Sequence, residues 1–125
     1  MNERQLISAI GGIARLSGSL DEAVGLIENL LTREVGSATL QLRPAGDSSQ
    51  LFAGPAVMRF LESKEFPFRG MYTAPIVQGG QSRATLVAYF GAWGAPGELL
   101  RRATSATAEH LAMLLARVGR APVAA

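Results

Sequence analysis

From Tyr72 to Gly91 the chain reads Tyr-Thr-Ala-Pro-Ile-Val, then Gln-Gly-Gly-Gln, then Ser-Arg-Ala-Thr-Leu-Val-Ala-Tyr-Phe-Gly. Two β-type runs joined by a Gly-Gly pair predict a hairpin with a tight turn. A helical pattern from Glu98 to Val118 follows it. Here Leu99, Ala103, Ala106, His110, Met113 or Leu114, and Val118 define one face, flanked by Leu100, Leu111 and Leu115. A hairpin that closes on a long amphipathic helix forces the sheet to turn one apolar face toward that helix. Pro75 inside the first run predicts an edge, a bulge or a later strand start, because proline cannot donate to a ladder.

The rest of the chain supplies the partners of that unit. Leu6, Ile10 and Ile13, with Ile7 and Leu16 beside them, predict a first helix over residues 3–16. Gly11-Gly12 costs that helix about 1 kcal/mol per glycine, which predicts either fraying or close approach of another helix. Ser19 and Glu22 form a capping-box pattern that opens a second helix. Its apolar face is Leu20, Ala23, Val24, Ile27, Leu30 and Leu31, and Gly36 stops it. Ser37 to Arg43 alternates as a strand, the segment from Pro44 is a turn, and Gln50 to Ala53 is a short second strand. Gly54-Pro55 opens a middle helix from Ala56 to about Lys64, with Val57, Phe60 and Leu61 as its stripe. Strands from about Gly70 to Val77 and from Arg83 to Phe90 complete the sheet. The expectation is an α+β domain with a mostly antiparallel sheet of four to six strands and the terminal helices packed on one face. The division expected is an N-terminal helix over residues 1–18, a domain over 19–119 and a flexible tail over 120–125.

Composition excludes several classes of chemistry. The chain has 125 residues, enough for one domain. It has no cysteine, so disulfides, thiolate metal sites and cysteine nucleophiles are all ruled out. His110 is its single histidine and the ten acidic residues are scattered, so neither a histidine cluster nor an all-carboxylate metal site is expected, and no cofactor is. No acid or serine stands in a triad-like spacing with His110. The formal charge is +2, and eleven of the twelve basic residues are arginine, Lys64 being the exception. The high pI thus reflects arginine more than a large charge excess, which argues against nucleic acid as a partner. No apolar run reaches the roughly 18 residues of a membrane span, and the start lacks the layout of a signal peptide. A cytoplasmic protein without membrane contact is expected, and the initial Met1 with the loose tail suggests a whole small protein or a terminal domain.

Three segments resemble the GAF domain, and together they cover about residues 19–118. Leu20–Arg43, LDEAVGLIENLLTREVGSATLQLR, is similar to the GAF opening helix and first strand. Ala56–Phe66, AVMRFLESKEF, is similar to its middle helix, and Tyr72–Gly91 to its Pro-bearing strand, Gly-containing turn and apolar strand. Ala74-Pro75-Ile76 and Gly79-Gly80 carry that last match. The resemblance implies a GAF/PAS/profilin-like fold and a non-enzymatic sensory or regulatory role. The chain departs from the family at Glu65–Arg69, where a longer insert usually helps to roof a ligand pocket, so a reduced or absent pocket is expected. Pigment attachment and methionine-sulfoxide reduction both depend on cysteine and are not implied. The Asn-Lys-x-Phe pattern of cyclic-nucleotide-binding members is missing too.

Two sets of site residues follow. Arg59, Arg69, Tyr72, Arg83, Tyr89 and Trp93 are candidates to line a cleft for an anionic or aromatic small molecule, or else to pack in the core and rim. Leu6, Ile10, Ile13, Ala103, Ala106, His110, Leu111 and Leu114 are candidates for a homodimer seam between terminal helices, or else for packing on the chain's own sheet. His110 is in addition a candidate pH-sensitive contact. Gln78-Gly79-Gly80-Gln81 is read as a turn and not a phosphate loop, since no helix or Gly-Lys-Ser ending follows. Gly91, Gly94 and Gly97 lack the parallel βαβ setting of a dinucleotide loop. A roadblock-like or profilin-like interaction module, which would share its sheet across a dimer, is the alternative reading. A small-molecule enzyme using arginine and carboxylates is a third, which no paired-acid spacing supports.

Overall fold

A computed structural model describes residues 2–36, 38–44, 70–91 and 97–118. In chain order these form α1 (Glu3–Leu16), α2 (Leu20–Val35), β1 (Ala38–Pro44), β2 (Gly70–Gln78), β3 (Gln81–Phe90) and α3 (Gly97–Val118). The strands make one antiparallel sheet in the order β1-β3-β2, so the fold class is α+β. Three strands of the expected four to six fall among the described residues. The second strand at Gln50–Ala53, the middle helix at Ala56–Lys64 and the tail over 120–125 lie outside them.

Gly79 and Gly80 make the β2–β3 turn with φ of +61° and +79°. Positive φ at both central positions is the type I′ pattern, whose twist matches that of the flanking strands. Toward the turn the register slips: Ile76 faces Ala84 but Val77 faces Ser82, which leaves Arg83 as the extra residue of a bulge.

Alternation along the strands sends Leu40, Leu42, Ala74, Ile76, Ala84, Leu86, Ala88 and Phe90 into one core with the helices. The helix α2 contributes Leu20, Ala23, Val24, Ile27, Leu30 and Leu31, which are its buried residues. Its cap differs in one detail from the capping box expected there. The Glu22 amide donates to Ser19 Oγ at 3.1 Å, but the Glu22 carboxylate accepts from the Gly18 amide, one residue further back. The reciprocal box occurs on α1 instead, where Gln5 N–H donates to Asn2 Oδ1 at 2.8 Å and Asn2 N–H to Gln5 Oε1 at 2.9 Å. Thr104 and Thr107 are buried polar residues of α3, and their hydroxyls donate to the Leu100 and Ala103 carbonyls at 2.8 and 2.7 Å.

The outer side of β1 is occupied by side chains of α2. Leu40 N–H donates to Glu28 Oε2 at 2.8 Å, and Thr32 Oγ1 lies 3.3 Å from the Ala38 amide and 3.2 Å from its carbonyl. Leu40 therefore directs its amide away from β3. Ladder alternation then pairs Ala88 with Tyr72 and turns the backbone groups of Thr73 and Pro75 outward from β2. Pro75 sits where β3 requires no donor, and it interrupts the outer side of β2, which pairs with no strand among the described residues.

Candidate functional site

The first and last helices pack side by side and parallel, and three contacts fix their register. At one end Arg102 bonds Glu3 at 3.1 Å and also pairs with Glu98. The hydrogen bond and charge of Glu3, and then the charge of Glu98, raise the Arg102 guanidinium above its usual range. Midway, the His110 ring covers Gly11: a Cβ built on Gly11 would lie 3.0 Å from both His110 Cε1 and Nε2. At the other end Arg117 Nη1 donates to the Arg15 carbonyl at 3.0 Å, while Nη2 donates to the carbonyls of Ala14 and Ser17 at 3.2 and 2.7 Å. A guanidinium thus serves the carbonyls that end α1, at the negative end of its dipole.

This geometry uses up most of the seam expected to join two subunits. Leu6, Ile10, Ala103, Ala106, Leu111 and Leu114 are 0–9% exposed within the single chain, while Ile13 and His110 are half-buried. Each buried leucine or isoleucine contributes about 1.5–3 kcal/mol relative to exposure. A second subunit could not reach these side chains unless α1 left α3.

Nor do the two expected ligand tyrosines converge. Tyr72 stands opposite Ala88 on the helix-covered face and packs on Phe90, with ring centroids 6.1 Å apart and planes at 60°. Tyr89 belongs to the opposite face, since it follows Ala88 in the alternation. The two tyrosines therefore cannot line one cleft. Arg83 is half-buried at the bulge, and its Nε is buried without a hydrogen-bond partner among the described residues. Arg59, Arg69 and Trp93 lie outside the described residues. On the face of Tyr89 the register sets out the rows Thr39–Tyr89–Met71, Gln41–Val87–Thr73 and Arg43–Thr85–Pro75. Gln41 and Val87 are buried at its centre.

A groove of about 470 Å³ runs between β2 and α3. Ala74, Pro75 and Val77 form one wall, and Ser105, Ala108, Glu109, Ala112 and Met113 the other. Val77 and Met113 are 44% and 64% exposed at its rim. The sequence shows the i, i+4 row Arg101, Ser105, Glu109, Met113 but not which way it faces. Helical spacing finds the inner face of α3, and the outer face is fixed only once α1 and the sheet are in place.

Among the described residues no group of three or more His, Asp or Glu is placed to hold a metal ion. No described helix is long and apolar enough to cross a membrane. His110 lies against a glycine and makes no hydrogen bond among the described residues. No protein-family model matches the chain, and no curated protein or solved structure matches it either.

Proposed function

We propose that this protein is a non-enzymatic, cytoplasmic GAF-like regulatory module that works as a homodimer through the outward surfaces of its terminal helices. The observation that carries the reading is the clasped parallel pair of α1 and α3 on one face of an antiparallel sheet. Arg102, His110 and Arg117 tie the two helices along their length, so they move as one body. A change at the sheet, whether from a small anionic or aromatic ligand near Arg83 and Tyr89 or from a partner protein, would shift that body between two packings. The roadblock-like or profilin-like alternative would pair β2 with its symmetry mate, and the exposed Pro75 on that edge weighs against it.

The test is solution mass by light scattering, joined to amide hydrogen exchange above and below the association concentration. Twice the chain mass of 13.2 kDa, with protection gained along α3, is the expected result. Protection gained along β2 instead would favour the shared sheet, and a monomer at every concentration would overturn the dimeric reading.

A further inference from the structure

The outward ridge of α3 is self-complementary. Arg101, Ser105 and Glu109 follow one another at i, i+4 and are exposed, and Met113 continues the row. Arg101 and Glu109 each lack an ionic partner among the described residues, whereas the neighbouring Arg102 is held by Glu3 and Glu98. Eight residues separate the two charges, about 12 Å along the axis, and Ser105 lies midway. A two-fold axis through Ser105, perpendicular to α3, sets Arg101 of each subunit against Glu109 of the other.

We infer that a second copy of this chain docks antiparallel on α3, crossing at Ser105 with two reciprocal Arg101–Glu109 ion pairs. Rows at i±4 on both helices interdigitate at about −50°, the commonest crossing class. The short serine side chain at the crossing point permits close approach. The groove beside the ridge receives the partner's arginine: the aliphatic stem lies along Ala108 and Ala112, and the guanidinium reaches Glu109. Glu109 is the one charged residue lining that groove among the described residues, so the groove suits a cationic side chain borne on a helix. Because the same patch serves both partners, the contact closes at two subunits. This inference rests on the dimeric reading above and adds the surface and register of the contact.

The test is charge reversal, with far-UV circular dichroism as the folding control. Arg101→Glu alone and Glu109→Arg alone each place like charges in apposition and should weaken self-association about tenfold or more. The double reversal, Arg101→Glu with Glu109→Arg, should restore it. An equimolar mixture of the two single variants, one ridge then wholly acidic and the other wholly basic, should form a heterodimer more readily than either associates with itself. A wild-type monomer would overturn both the inference and the dimeric reading. A wild-type dimer indifferent to the single reversals would overturn the inference alone and leave the dimer on another surface. Weakening by both singles without recovery in the double variant or the mixture would overturn the antiparallel register.

Discussion

Replacing Gly11 and Gly12 by alanine, one at a time, should have unequal effects on stability. In a helix interior either substitution gains about 1 kcal/mol from propensity. At Gly12 the added Cβ meets only Arg15 Nη2, 3.9 Å away at the end of a flexible side chain. Gly12→Ala should therefore stabilise the fold by about 0.5–1 kcal/mol. At Gly11 the same carbon lies 3.0 Å from two atoms of the His110 ring. That is closer than van der Waals contact, so the ring or the helix pair must yield. Overpacking of this kind costs about 1–3 kcal/mol, which cancels or outweighs the propensity gain. The two alanines should then differ by about 1–3 kcal/mol. Urea unfolding followed by far-UV circular dichroism, at one low protein concentration to keep association out of the balance, measures both. Adding Gly11→Ala to a His110→Ala chain should recover the gain seen at Gly12, with a coupling of about 1 kcal/mol or more. Equal stabilisation by the two alanines would refute the seating of His110 on Gly11.

Three other perturbations probe the remaining contacts. Arg117→Ala removes the donors at the end of α1 and should cost about 1–2 kcal/mol in urea unfolding, since the guanidinium is charged but largely exposed; an unchanged midpoint would show that water serves those carbonyls equally well. Glu28→Ala strips the acceptor from Leu40 N–H and should cost about 1–2 kcal/mol, whereas Glu28→Gln, which keeps an oxygen in place, should cost less; equal losses would mean that charge matters more than the hydrogen bond. Pro75→Val returns a donor to the outer side of β2 and should raise aggregation on mild heating, read by static light scattering; no rise would indicate that the edge is protected by other means.

The parts legible in the sequence are those set by neighbours along the chain. The six apolar positions of α2 follow a 3.6-residue period, and the Gly79-Gly80 turn follows from the φ that its type requires. Pro75 signalled an edge, a bulge or a later strand start, because its missing donor excludes a central ladder position, and among the described strands β2 is at the edge. The contacts that define the helix pair have no local signature. Glu3 meets Arg102, Gly11 meets His110, and Ala14 meets Arg117, each about a hundred residues apart in the chain. Periodicity identified the apolar stripes of α1 and α3, but a stripe does not say whether a second subunit or the chain's own sheet will cover it. The tyrosines show a similar limit. Tyr72 and Tyr89 look equivalent as aromatic residues in paired strands, and the antiparallel register sends them to opposite faces.

A fold this small must assign each helical face to one task. The inner faces of α1 and α3 are committed to the core, where six of the expected seam residues are at most 9% exposed. Exposing them to form a bundle would forfeit about 1.5–3 kcal/mol for each large side chain, a large share of the 5–15 kcal/mol by which a domain is stable. A dimer that keeps the domain folded must use surface the core has not claimed. On α3 that surface is the row from Arg101 to Met113, with its small central residue and its two charges that form no ion pair among the described residues. The parallel clasp then acquires a second consequence. Arg117 and His110 hold α1 to α3, so a tilt of one α3 against its partner would carry α1 with it. The surface suited to pairing and the element suited to transmitting a change are the same helix.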